Sequence, residues 1–338
     1  MRGKAVVFVP AALVAGVLGF AFFQMNSGDF GHTASGPLSS QEYQRIEDEL
    51  LNLSASSTPR EAFAWLRNEI RHDDSLARSC HPLVHALGRA TYTKYRDFAG
   101  ALQYRDEMCN SGYIHGVIEA YFDTQESVSE AMRTACDGYK PGSFHAWECF
   151  HGVGHGAMYA SDNDLPGSLA LCDRYEDDFA REACANGIFM ENFNTEGEMH
   201  RTKYLKEDDF FYPCSAQEDR YKDDCYLYAP TYYLSKHVNQ YEEALKWCEN
   251  AEIEYQQTCT MGVGTQAMKE NINSVPLVEA VCMDSAAASS SWCISGMVGL
   301  LVFHYGDLDP VWNICRTLEG ENRELCSDVV ASYSSWFL

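Results

Sequence analysis

The cysteines of this 338-residue chain recur at a nearly fixed spacing, which limits the possible folds more than any other feature. From residue 136 onward they fall in pairs whose members are 11 to 13 positions apart, and the pairs recur every 33 to 41 residues. A period of this length is that of one helix-turn-helix repeat. We therefore expect an all-α array of helical hairpins, each clamped by a disulfide.

The spacing also predicts which cysteines are joined. The expected pairs are Cys136–Cys149, Cys172–Cys184, Cys214–Cys225, Cys248–Cys259, Cys282–Cys293 and Cys315–Cys326. Cys80 and Cys109 remain and are paired by elimination, although one or both could instead be free thiols. Closing a loop of about 12 residues stabilises a fold by roughly 3 kcal/mol in the chain-entropy account.

Glycine recurs at one register of these repeats. It stands three residues after the second cysteine of five units, at Gly112, Gly152, Gly187, Gly262 and Gly296. Glycine inside a helix costs about 1 kcal/mol relative to alanine. Its recurrence therefore predicts that neighbouring helix backbones approach each other closely at this position.

The first 24 residues are typical of an export signal. Arg2 and Lys4 precede an uncharged apolar run at residues 5–23, which would span roughly 28 Å as a helix, close to the ~30 Å hydrocarbon core of a bilayer. The run is either an uncleaved signal-anchor or a cleaved signal peptide. Both place the rest of the chain outside the cytoplasm, at a cell surface, in the periplasm, in a secretory lumen or secreted. An even number of cysteines agrees with such an oxidising location.

Composition predicts where the folded part begins. Residues 25–58 are rich in serine, glycine and threonine, so we expect a flexible tether with one short helical candidate at residues 41–51. Thr58 and Pro59 suit the start of a helix. The helical-repeat domain should then cover residues 59–338, with about seven to eight units.

The chain carries a formal charge of −24. Nucleic acid is therefore an unsuitable partner, because binding phosphate requires a basic face. The partners that remain are the membrane, through the N-terminal segment, and a protein on the concave face that helical repeats present.

The cysteine pairing, the period and the glycine- and alanine-rich second helix resemble the cysteine-rich branch of the Sel1-like repeat proteins, relatives of the tetratricopeptide repeats. The resemblance covers about residues 60–338 and implies a right-handed α/α superhelix. The succession CHPLVH, IHG and CFHGVGHG is also similar to an uncharacterised family of exported cysteine/histidine proteins, a likeness that implies no activity.

Five of the eleven histidines occupy matched positions in the first three units. The candidate ligand pairs, each spaced by four residues, are His81/His85, His115/Glu119 and His151/His155. This spacing places both side chains on one helix face, the arrangement that metal sites use. Because successive second helices lie side by side, the pairs should converge on one or two transition-metal ions, with Fe, Cu or Zn suited to the ligands. Glu191, in the fourth unit, could add a carboxylate.

These residues predict a membrane-anchored, extracytoplasmic metal-binding protein, and a metalloenzyme if the ion keeps an open coordination position. The alternative is a tethered protein–protein interaction scaffold without metal, in which the histidines are packed residues. The glycines around His151 and His155 could also place that pair on a loop. No catalytic residue is assigned, since the sequence contains no established catalytic motif.

Overall fold

The computed structural model describes residues 38–194, 202–283 and 286–338. These residues form α-helices and short 3-10 helices without a strand, which confirms the all-α class. In chain order the α-helices are α1 (Ser40–Ser56), α2 (Pro59–Glu69), α3 (Asp74–Tyr95), α4 (Phe98–Leu102), α5 (Gly112–Phe122), α6 (Val128–Ala135), α7 (Phe144–Ala160), α8 (Leu165–Cys172), α9 (Asp178–Phe193), α10 (Asp219–Lys236), α11 (Tyr241–Cys248), α12 (Gln256–Glu270), α13 (Val275–Met283), α14 (Ala287–Tyr305), α15 (Leu308–Cys315) and α16 (Gly320–Ser332).

Seven disulfides join all fourteen cysteines, in the same pairs that the spacing predicts. Cys80 and Cys109 are bonded to each other, and no thiol is free. In five hairpins the first cysteine lies at the end of a short helix (α6, α8, α11, α13 or α15) and the second lies within the long helix that follows. Each of these bonds ties a short helix to its long partner in the buried core.

The long helices pack against one another in chain order, from α3 and α5 through α7, α9, α10, α12 and α14 to α16. Glycine allows their backbones to touch. A Cβ at Gly116 of α5 would overlap the carbonyl oxygen of His85 in α3, and one at Gly187 of α9 would overlap that of His151 in α7. The close approach expected at Gly187 is therefore present, and it brings the histidine-bearing helices together.

Helices that are far apart in the row of long helices also contact each other. The Arg78 Nε of α3 donates to the carbonyl oxygen of Glu270, at the end of α12, over 3.0 Å. Trp147 of α7 stacks on Trp336 near the C-terminus, with ring centroids 4.9 Å apart. In an open array of repeats each unit contacts only its neighbours. Here distant units meet, and the inner helix faces surround a cavity of about 500 Å³.

The folded part begins upstream of the predicted boundary at Pro59. Helix α1 lies inside the stretch expected to be a tether and buries Ile46 and Leu50. The Lys94 side chain of α3 donates to the carbonyl oxygen of Ser54, 3.1 Å away. Helix α1 contains the helical candidate predicted at residues 41–51 and extends it to Ser56, because an apolar i, i+4 pair in a polar stretch supplies a face for packing. Helix α2 does begin at Pro59.

The predicted membrane segment at residues 5–23 lies outside the described residues. Within the described ranges, no helix combines the length and the apolar character needed to cross a bilayer. The seven disulfides are typical of an oxidising compartment and support a location outside the cytoplasm.

Candidate metal centre

The structure brings the five matched histidines into one buried cluster, contributed by α3, α5 and α7. His115 of α5 lies in the middle. Its ring stacks on that of His155 with centroids 4.1 Å apart, and the rings of His81, His85 and His151 lie 5.1 to 5.4 Å from it. The convergence of the three helix faces is the arrangement that the spacing predicts.

The pair His151/His155 lies on a helix, since the segment HGVGHG forms the middle of α7. Three glycines weaken the intrinsic helix propensity of this segment. Tight packing compensates: a Cβ at Gly154 would overlap the carbonyl oxygen of Cys184 in α9. The possibility of a loop at this position is therefore wrong, because tertiary packing rather than propensity holds the helix.

Two groups of three histidines have ligand atoms close enough to share an ion. One consists of His81, His85 and His115, and the other of His115, His151 and His155. In each group the candidate ligand nitrogens lie within 4.8 Å of one another. His115 belongs to both groups, so the cluster is continuous.

Three of the histidines place Nδ1 in a hydrogen bond with an acceptor. These bonds are His81 to the carbonyl oxygen of Cys109 (2.7 Å), His151 to Asn186 Oδ1 (3.0 Å) and His155 to Glu191 Oε2 (2.6 Å). The Nδ1 of His85 lies 3.3 Å from Glu119 Oε1 in an ion-pair contact. An acceptor at Nδ1 fixes the ring and the tautomer, leaving the Nε2 lone pair for a ligand. Histidines that bind metals are oriented in this way.

The two carboxylates expected as ligands therefore lie behind histidines. Glu119 contacts His85 with one oxygen and accepts from the Arg89 guanidinium with the other, over 3.0 Å. Glu191 accepts from His155. In this geometry both carboxylates orient imidazoles, and the ligand nitrogens that lie closest together all belong to histidines.

Burial determines the charge of the cluster. It lowers the pKa of His81, His115 and His151 well below the usual value, and neighbouring histidines add to the effect. Burial also lowers the pKa of His155, against the opposing influence of Glu191. These four rings are therefore neutral at neutral pH and can act as metal ligands.

Two features of the cluster are energetically unfavourable when no cation is bound. The Nε2 atoms of His151 and His155 lie 3.1 Å apart, and both rings place Nδ1 against an acceptor, so two lone pairs face each other. His115 is fully buried, and neither of its ring nitrogens has a hydrogen-bond partner among the described residues. A buried polar group without a partner costs about 1 to 3 kcal/mol.

Sequence reasoning missed several residues around the cluster. Asn186 accepts from the Tyr228 hydroxyl (2.8 Å) and donates to Asp224 Oδ1 (2.7 Å), which fixes the amide oxygen towards His151. The Met190 sulfur lies 3.3 Å from the His151 Nε2. A signal for Asn186 existed, because it follows Cys184 by the same two positions by which His151 follows Cys149.

Comparison of the chain with protein-family models, with curated proteins and with solved structures finds no match. Functional conclusions therefore rest on the geometry of the site.

Proposed function

We propose that this chain binds one or two transition-metal ions, Fe, Cu or Zn, through the imidazoles of His81, His85, His115, His151 and His155. One observation carries the proposal: three buried histidines hydrogen-bond an acceptor through Nδ1 and His85 faces Glu119, while the fifth, His115, lies between them without a hydrogen-bond partner among the described residues. A bound cation would use the lone pairs that hydrogen bonds leave unsatisfied.

The distances suit metal coordination. Two nitrogens bound at about 2.1 Å to one ion, roughly at right angles, are about 3.0 Å apart. The Nε2 atoms of His151 and His155 are separated by 3.1 Å. A shared proton is the competing explanation, but it requires an imidazolium where burial lowers the pKa of both rings. A metal ion is therefore the better occupant.

The charge around the cluster also favours a cation. The pKa of Glu119 is lowered: burial raises it, but His85 and Arg89 more than offset that effect. Glu119 and Glu191 are both buried, and Arg89 pairs with Glu119. Buried carboxylates beside the ligand nitrogens reduce the cost of bringing a divalent ion into the interior.

The proposal also covers the fold around the metal centre and its location in the cell. We infer a right-handed superhelix of disulfide-clamped hairpins, supported by the chain-order packing of the long helices. Residues 1–24 would anchor it in a membrane, or direct its secretion, with the metal centre outside the cytoplasm. An ion with an open coordination position would make the protein a metalloenzyme.

Elemental analysis of the full-length protein, exported and purified without chelators, tests the proposal. We expect one or two ions per chain, and loss of binding in the double variant His151→Ala/His155→Ala. His237→Ala is the matched control, because His237 packs against Tyr233 outside the cluster. Seven intact disulfides, confirmed by peptide mapping, would show that the double variant still folds.

His115→Leu separates a ligand role from a packing role. Leucine removes two buried nitrogens without partners, so the metal-free protein should melt at the same or a higher temperature. The rise in melting temperature caused by added metal should disappear. Substoichiometric metal in the wild type, together with no uptake when Fe, Cu and Zn are titrated, would refute the proposal and favour the scaffold without metal.

A further inference from the structure

The cavity of about 500 Å³ lies beside the metal centre, and the proposed function gives its interior no role. Residues of α7, α9, α10, α12, α14 and α16 line it. Its volume falls in the range of small-molecule sites, about 300 to 1,000 Å³. It is suited to a small molecule rather than to a folded protein partner.

One part of the cavity wall is aromatic. Trp147, Phe179, Phe303, Tyr333 and Trp336 all line it. Trp336 contacts the other four, with ring centroids 4.9 to 6.2 Å apart. Such a wall offers flat apolar surface to a ring or a hydrocarbon and attracts cations through the ring faces.

Three carboxyl groups line the same cavity: the exposed Glu182, and Glu148 on α7 and Asp224 on α10, which lie deeper. Asp224 accepts a hydrogen bond from Asn186. Neither Glu148 nor Asp224 forms an ion pair within the described ranges 38–194, 202–283 and 286–338. Burial raises the pKa of Glu148 to about 8 and that of Asp224 to about 7. A cationic ligand would supply the counter-charge that allows both groups to ionise.

The cavity also reaches the metal centre. His151 and Met190 line it, and Asn186 connects Asp224 to the His151 ring. Lys269 is the one lysine or arginine among the described lining residues, against Glu148, Glu182 and Asp224. The excess of acidic groups disfavours an anionic occupant.

We propose that this cavity binds a small organic amine with an apolar body, the ammonium group at Glu148 and Asp224 and the apolar body against the aromatic wall. The position of the amine next to a metal ion rests on the proposed function. Binding of the amine itself does not.

Calorimetric titration of the full chain with three ligands of similar shape tests this proposal. The probes are phenethylamine, the neutral phenethyl alcohol and the anionic hydrocinnamate. We expect the amine to bind about tenfold or more tightly than either of the others, since a charged hydrogen bond contributes more than a neutral one. Equal affinities, a preference for hydrocinnamate, or no binding of the amine would overturn the proposal.

The double variant Glu148→Gln/Asp224→Asn should lose the preference for the amine over the alcohol. Glu254→Gln, which changes an exposed carboxylate outside the cavity lining, should keep it. A preference that survives the double variant would contradict the assignment of the ammonium site. If the double variant does not fold, the three-ligand comparison on the wild type decides.

Repeating the titrations after chelation separates the two proposals. Amine binding that persists in a protein shown by elemental analysis to take up no metal would leave the cavity site standing and refute the metal centre. Metal uptake without selective amine binding would support the metal centre and refute the amine site in the cavity.

Discussion

At the residue scale, burial decides which ionisable side chains carry charge. Glu148 is buried beside Glu107, and burial raises its pKa to about 8. The same effect lowers the pKa of His81, His115, His151 and His155. In both cases the neutral form is favoured. The interior of the molecule therefore holds groups that gain charge or satisfy lone pairs only when a cation binds.

Glu148→Gln should show this effect as a change in pH dependence. Between about pH 4.5 and about pH 8 the folded state binds the Glu148 proton more tightly than the unfolded state, so this group's contribution to stability falls as pH rises. Glutamine removes that dependence. We expect the variant to gain stability relative to wild type on going from about pH 5 to about pH 8, by on the order of 2 kcal/mol, since each pKa unit corresponds to about 1.4 kcal/mol and cavity water reduces the effect.

Denaturant unfolding at the two pH values, with disulfides intact, measures this difference. Glu254→Gln serves as the control, because its carboxylate is exposed. The same stability difference between Glu148→Gln and wild type at both pH values would show that Glu148 titrates normally.

Residue spacing was enough to predict that the five histidines converge, because an i, i+4 pattern at a repeat register places side chains on one helix face. It was not enough to predict their orientation. The acceptor for His81 is a main-chain carbonyl at Cys109, which no side-chain pattern reveals. The roles of Glu119 and Glu191 depend on which atoms of each imidazole they meet, and that is set by helix separation.

At the element scale, the spacing of the paired cysteines predicts the helical hairpins. The segment YEEALKWC is α11, and the second cysteine of each clamped pair from Cys149 onward lies in a long helix. A helix was predicted at residues 41–51, but not its packing against the folded domain, because serine-rich composition hides the buried stripe at Ile46 and Leu50. Composition describes a segment as a whole, whereas packing depends on one of its faces.

Removal of two different disulfides should separate stability from metal binding. Cys80→Ala/Cys109→Ala and Cys248→Ala/Cys259→Ala should each reduce the free energy of unfolding by about 3 kcal/mol, because each bond closes a loop in the unfolded chain. Only the first pair should weaken metal binding, since Cys80 precedes His81 and the Cys109 carbonyl accepts from the His81 ring.

Denaturant unfolding and metal titration of both variants check this prediction. Equal metal affinities in the two would mean that the Cys80–Cys109 bond does not position His81.

At the scale of the whole molecule, the contact between α3 and α12 closes the row of helices. Arg78 has a largely buried side chain, donates to the Glu270 carbonyl and to Asn239 Oδ1, and faces the Glu270 carboxylate at 3.4 Å. The repeat period did not predict this contact. A period specifies neighbours, whereas closure depends on small rotations that accumulate over several units.

Arg78→Met should open the molecule locally. Breaking a buried ion pair that leaves its partner behind costs about 3 kcal/mol or more. Hydrogen exchange should therefore rise in α12 and in α3 where the two meet, while α9 should exchange as in the wild type. Arg71→Met, at an exposed position just before α3, is the control. Unchanged exchange in α12 would show that the contact does not hold the two helices together.

The order of the centre along the chain bears on how the finished molecule is made. All five histidines and both orienting carboxylates lie between residues 81 and 191, ahead of α10, α12, α14 and α16. Synthesis from the N-terminus therefore completes the ligand set while the far wall of the cavity does not yet exist. If the proposed centre forms, an ion could enter the half-built protein before the cavity wall closes. Assembly in this order would make metal loading a step in folding rather than an event that follows it.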